Sequence, residues 1–80
     1  MTLNRTILIA LENVHPLLLR EDVLHLDVNC LRPRPATLTE LRQAPAALEA
    51  RRQILSVRGE DGLLRWKITL NGKAELLENA

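Results

Sequence analysis

The chain has 80 residues, with 11 Lys plus Arg against 10 Asp plus Glu, a formal net charge of +1, 46% hydrophobic residues and 1% aromatic. A chain of this length buries only about 60% of the surface its unfolded form exposes, so it supports one modest core and excludes a two-domain enzyme with an interdomain cleft. Eighteen leucines, no Phe or Tyr and the single Trp66 also exclude the platform of aromatic faces on which modules that read single-stranded nucleic acid stack their bases.

The longest apolar runs, such as Ile7 to Leu11 and Leu17 to Leu19, fall far short of the roughly 18 residues that a bilayer span needs. No charged start leads into a long apolar region with a small-residue cleavage site, so a soluble, cytoplasmic protein without a membrane partner is expected. Cys30 is the only cysteine, which rules out an intrachain disulfide, and it reads as a reduced thiol packed as a small apolar residue. Charge is unevenly spread. Residues 1–31 hold Arg5 and Arg20 against Glu12, Glu21, Asp22 and Asp27, whereas residues 32–73 hold nine Lys and Arg against four acids. A near-neutral chain thus has a basic middle suited to attracting a polyanion.

Thr2 or Asn4 offers an N-cap, and Leu3, Ile7, Leu8, Leu11 and Val14 follow at helical spacing. This first helix stops before Pro16, because the residue preceding proline is pushed out of the helical region. His15 at that stop is a solvated helix-end residue. Residues 17–31 carry both periods: Leu19, Val23, Leu26 and Cys30 lie on a helical stripe, while Leu24, Leu26, Val28 and Cys30 alternate. A helix over 18–29 is expected, with Glu21 and Asp22 where its dipole favours acids.

Arg32-Pro33-Arg34-Pro35 is an extended linker, since each proline fixes φ and restricts its neighbour. Thr37-Leu38-Thr39-Glu40 then forms a capping box that opens a third helix. Leu38, Leu41, Pro45 and Leu48 share its inner face; Thr39, Arg42, Gln43 and Ala46 point outward. Pro45 removes a hydrogen bond and clashes with the carbonyl of Leu41, so either one helix kinks there or two short helices meet.

After Gln53 the period becomes two. Strands over 54–59 and 63–70 flank Asp61-Gly62, which suits a two-residue type I′ turn. Closing there pairs Val57 with Trp66 and Leu55 with Ile68 on one face, and Ser56 with Lys67 and Arg58 with Arg65 on the other. Asn71-Gly72 turns the chain into a short last helix, Lys73 to Glu78, whose Leu76 and Leu77 return to the core. Leu8, Leu11, Leu41, Leu48, Leu55, Trp66 and Ile68 are the expected core. The fold class is therefore mainly α with a small β-hairpin, an α+β domain over residues 1–80.

Three helices, a hairpin and a short helix, with Leu48-Glu49-Ala50-Arg51-Arg52-Gln53-Ile54-Leu55 running through Asp61-Gly62 to Trp66-Lys67-Ile68-Thr69-Leu70-Asn71-Gly72, resemble a winged helix-turn-helix domain. Where that family usually carries a glycine at the entry to the wing, this chain has Arg52 or Gln53. The resemblance implies a small bacterial or phage-type regulator of transcription, with the third helix in the major groove of double-stranded DNA and the wing on the backbone. On that reading Arg34, Thr37, Thr39, Arg42, Gln43, Arg58, Arg65 and Lys67 are the DNA-binding residues, with Thr39, Arg42 and Gln43 placed to read base edges. The alternative is a winged-helix protein-interaction module that uses the Ala46, Ala47 and Ala50 face or Leu17 to Leu19, or a homodimer through the first helix. No catalytic role, cofactor or metal is expected. Ser56 lacks a histidine nearby in sequence, the three glycines all suit turns, and His25, Asp27 and Cys30 lack the further ligands of a zinc site.

Overall fold

A computed structural model describes residues 2–78. Among them lie four helices and three strands: α1 (Leu3–Val14), β1 (Leu19–Arg20), α2 (Glu21–Leu31), α3 (Leu38–Ala50), β2 (Ile54–Arg58), β3 (Leu64–Ile68) and α4 (Leu70–Glu78). The strands form one antiparallel sheet in the order β1-β3-β2, so the α+β class expected from the sequence holds.

In α1 the Thr2 hydroxyl caps the helix by accepting from the Arg5 N–H at 3.2 Å, and the helix ends at His15 ahead of Pro16. Ile7, Leu8, Ala10 and Leu11 are buried on its inner face. The second segment departs from the expected helix over 18–29. Leu19 and Arg20 are extended and pair with Trp66 and Arg65 of β3, and α2 begins only at Glu21. Its buried residues are Leu24 and Val28, four apart. Cys30 lies two residues beyond Val28, about 200° around the helix, and is therefore exposed rather than packed.

In α3 both halves of the capping box form, with Glu40 N–H donating to the Thr37 hydroxyl at 3.2 Å and Thr37 N–H donating to the Glu40 carboxylate at 3.0 Å. The helix runs unbroken through Pro45, which is buried with Leu41 and Leu48; Leu38, in phase with them but in the first turn, is exposed.

The end of α3 sets the geometry of everything that follows. Gln53 N–H donates to the Leu48 carbonyl at 3.0 Å and Arg52 N–H to the Glu49 carbonyl at 2.9 Å, the paired bonds of a Schellman motif. The left-handed position that motif requires is filled by Arg52, at φ 61°. From there Thr69 N–H donates to the Gln53 carbonyl at 3.0 Å, and the Thr69 hydroxyl donates to the Arg52 carbonyl at 2.6 Å. Helix α4 starts immediately afterwards at Leu70, not at Lys73, so Asn71 and Gly72 belong to its first turn rather than to a separate turn. Leu76 packs against the core while Leu77 is exposed.

The β2–β3 register differs by one residue from the expected one. The pairs are Ile54 with Ile68, Leu55 with Lys67, Ser56 with Trp66, Val57 with Arg65, and Arg58 with Leu64. A type I′ turn needs two residues at positive φ, and at the tip only Gly62 has one, at 80°. The chain closes instead on Gly59 and Leu63, with Gly59 N–H donating to the Leu63 carbonyl at 2.9 Å. This leaves a three-residue loop whose last residue is left-handed. A one-residue slip exchanges the two faces of a strand. Ile54 therefore joins Trp66 and Ile68 in the core, while Leu55 and Val57 are 39% and 42% exposed on the other face.

Two substitutions test this junction. A Cβ on Gly72 would stand 2.7 Å from Ile68 Cγ1 and closer still to the Gln53 carbonyl oxygen. Gly72→Ala should therefore destabilise the chain by about 1–3 kcal/mol in chemical denaturation, the cost of overpacking, against the gain that helix propensity alone would give. Arg52→Gly should raise the unfolding free energy by about 0.5–1 kcal/mol, because glycine takes the left-handed position without steric cost.

Candidate nucleic-acid interface

Thr39, Arg42 and Gln43 lie three and four residues apart on α3, share one face and are exposed. Arg34, also exposed, precedes them in the 32–37 linker, which is tied to α2 where the Ala36 N–H donates to Asn29 Oδ1 at 3.0 Å. Arg32 Nε folds onto the Arg34 carbonyl at 3.3 Å. Thr37 stands at the start of α3, but its hydroxyl oxygen already accepts from the Glu40 amide. Hydrogen bonds from the Thr37 backbone and then its side chain hold the Glu40 carboxyl below its usual value, which keeps an anion at the helix start where a phosphate would otherwise be favoured.

The hairpin does not present its basic residues as one surface. Arg58 pairs with Leu64 and donates through Nη1 to the Gly62 carbonyl at 2.6 Å. Arg65 lies on the opposite face, beside Lys67, Leu55 and Val57. Its guanidinium forks onto Asp61, with Nη1 to Oδ1 at 3.0 Å and Nη2 to Oδ2 at 2.9 Å. The expected opposition of Arg58 and Arg65 is thus absent because of the register. Arg65 instead stands opposite Arg20 across β1 and β3. Each of these two carries its own carboxylate: Arg20 Nε donates to Asp22 Oδ1 at 3.0 Å. Asp61 is pushed well below the ordinary carboxylate range, chiefly by the Arg65 hydrogen bond and next by the Leu63 N–H. Asp22 is lowered by Arg20 in the same way.

The structure therefore brings Arg34, Thr37, Thr39, Arg42 and Gln43 to the first half of α3 and its approach, while the sheet separates Arg58 from Arg65 and Lys67. Among the described residues, Arg20 and Arg65 are the two guanidiniums held in ion pairs. Arg51 and Arg52, exposed just past the end of α3, add basic groups there; their adjacency to the helix end in the sequence was the available signal.

Ser56, the lone serine, donates its hydroxyl to Glu49 at 2.6 Å, and its N–H donates to the same carboxylate oxygen at 2.9 Å. This N–H belongs to the set directed away from β3, because hydrogen-bonded pairs alternate along the ladder and fall at Gly59–Leu63 and Gln53–Thr69. Glu49 thereby closes part of the open edge of β2, which would otherwise be free to pair with another chain. Among the described residues no group of three or more His, Cys, Asp or Glu side chains is placed to hold a metal, and no helix is long and apolar enough to cross a membrane. No protein-family model, curated protein or solved structure matches the chain.

The Asp61–Arg65 fork makes a titration prediction. The folded pKa of Asp61 lies below the unfolded value, so the contribution of this contact is complete above about pH 4 and fades as pH falls through the folded value. Carbon-detected NMR should show the Asp61 carboxyl titrating below the ordinary carboxylate range, and Arg65→Gln should return it towards that range.

Proposed function

We propose that the protein is a winged-helix module that binds double-stranded DNA as a small regulator, inserting the outer face of α3 in the major groove. The observation that carries this reading is the open face of α3, where Thr39, Arg42 and Gln43 stand together with Arg34 just upstream and no ion pair on either arginine. A helix of 13 residues extends about 20 Å at 1.5 Å per residue, and the major groove admits an α-helix. The order of three helices and then a hairpin supports the same placement.

The contacts divide into three kinds. Arg34 and Arg42 supply the electrostatic positioning. Thr39 and Gln43 offer hydrogen-bonding groups to base edges, and Arg42 can also reach a guanine. Arg58 is the wing's phosphate contact, whereas Arg65 positions the hairpin tip through Asp61 and touches no DNA. A protein-interaction module is the second reading. It is favoured by Leu70 and Leu77, which are 82% and 80% exposed at seven-residue spacing on α4.

Mobility shifts on mixed-sequence duplexes across a salt series test the proposal. Binding should weaken linearly on a log–log plot, and Arg42→Ala should flatten the slope by about 0.9, one phosphate contact's worth. Arg65→Gln should leave the slope unchanged. Binding that is absent at low salt, or insensitive to salt, would transfer the reading to the interaction module.

A further inference from the structure

Helix α4 carries an apolar stripe that the fold leaves bare. Gly72 is buried and Leu76 packs against the core; Ala74, two residues from each and so about 200° around the helix from both, is exposed between Leu70 and Leu77. Those two leucines are the most exposed large hydrophobic side chains among the described residues. The helical phase is fixed from the first turn, because the Lys73 N–H donates to the Thr69 carbonyl at 3.0 Å and the Gly72 N–H to the Thr69 hydroxyl at 3.3 Å. Leu70, Ala74 and Leu77 therefore stand in line as the d, a and d positions of a helix-pairing seam. Lys73 lies on one flank of that seam, and Asn71 and Glu78 on the other. Neither Lys73 nor Glu78 forms an ion pair in the structure, and Glu12 of α1, which lines a shallow groove with Lys73, forms none either.

We propose that this stripe is the seam of a homodimer, in which the α4 helices of two copies pack side by side and parallel. The charges on the flanks select both the partner and the direction. In a parallel pair each flank faces the opposite flank of the other helix, and the g and e positions that meet lie five residues apart. Lys73 of each copy then meets Glu78 of the other, and two-fold symmetry makes the contact twice. An antiparallel pair would set each flank against itself, Lys73 against Lys73, where like charges repel. Leucine at both d positions suits a parallel pair, and the small side chain of Ala74 between them lets the helix axes approach closely. The seam is short, because α4 spans nine residues. Two leucines and an alanine from each copy bury less than the roughly 1,200 Å² at which standard interfaces begin, so the dimer is weak, with a dissociation constant of about 0.1 mM. The seam lies apart from the outer face of α3, and the proposal does not rest on DNA binding.

Sedimentation equilibrium at low salt, from about 10 μM to about 1 mM protein, tests the assignment. The chain should pass from monomer to dimer across that range. Leu77→Gln should hold it monomeric throughout while its circular dichroism and thermal midpoint stay those of the parent, since Leu77 takes no part in the core. Lys73→Glu and Glu78→Lys should each weaken association by about tenfold. The two changes combined should restore the parent constant to within about twofold, a rescue that neither general stickiness nor partial unfolding would produce. Three results would overturn the proposal. A chain that stays monomeric at about 1 mM leaves the stripe to a different protein. Association that Leu77→Gln leaves unchanged puts the contact on another face, and a charge swap that remains as weak as the single variants rules out the parallel pair.

Discussion

The close approach of two backbone segments, at Arg52–Gln53 and at Thr69–Gly72, is the constraint on which this structure depends. The end of α3, the start of β2, the end of β3 and the start of α4 all meet there. The two bonds of the Schellman motif use the Leu48 and Glu49 carbonyls, and Thr69 donates to the Gln53 carbonyl through its N–H and to the Arg52 carbonyl through its hydroxyl. The consequence is positional. Once Thr69 is tied to Gln53, the pairing of Ile54 with Ile68 follows, and so does every pair up to Arg58 and Leu64. The hairpin tip then has to accommodate three residues, which it does through the positive φ of Gly62. Glycine serves a second purpose at Gly72, where any side chain would collide with the Gln53 carbonyl.

That register explains the electrostatics of the surface. It turns Ile54 and Ser56 towards α3, so that Glu49 can hold Ser56 and cover the sheet edge. It turns Leu55, Val57, Arg65 and Lys67 outward, and it removes the direct opposition of Arg58 and Arg65. Like charges do meet across the sheet, at Arg20 and Arg65, where opposed pairs are ordinarily unfavourable. Asp22 and Asp61 neutralise them separately. The basic character of residues 32–73 therefore does not translate into a uniformly basic wing. Outside the sheet, Arg34 precedes α3, Arg42 is the one basic residue within it, and Arg51 and Arg52 follow it.

Local chemistry in the sequence was enough to locate α1 with its Thr2 cap, the capping box at Thr37 and Glu40, and the hairpin after Gln53. These depend on neighbours within four residues. What was not legible depended on distant partners. The two-residue strand β1 exists because β3 offers an edge; it takes Leu19 from the helical stripe, whereas Leu24, Leu26, Val28 and Cys30, which alternate in sequence, all lie in α2. The hairpin register is not decided locally: Asp61-Gly62 suits two turns that differ by one residue, and the choice between them is made at Thr69 and Gln53, outside the hairpin. Arginine itself gives no sign of a left-handed conformation, and the one pointer to it at Arg52 was the glycine that winged-helix domains usually carry at the entry to the wing. Of the candidate interface, the exposed α3 residues were visible from helical phase alone, whereas the commitment of Arg65 to Asp61 required the register.

The register is also the point at which the account is most directly exposed to measurement. In an antiparallel ladder the residues of a non-hydrogen-bonded pair bring their Cα atoms to about 4.5 Å, close enough for strong contacts between Hα protons. The structure places Ile54 with Ile68, Ser56 with Trp66 and Arg58 with Leu64 at such positions. A nuclear Overhauser spectrum of the protein in deuterium oxide should show these three Hα–Hα contacts. Strong Hα–Hα contacts between Val57 and Trp66 and between Leu55 and Ile68 in their place would contradict the register, the inward face of β2 and the role assigned to the Arg52–Gln53 junction.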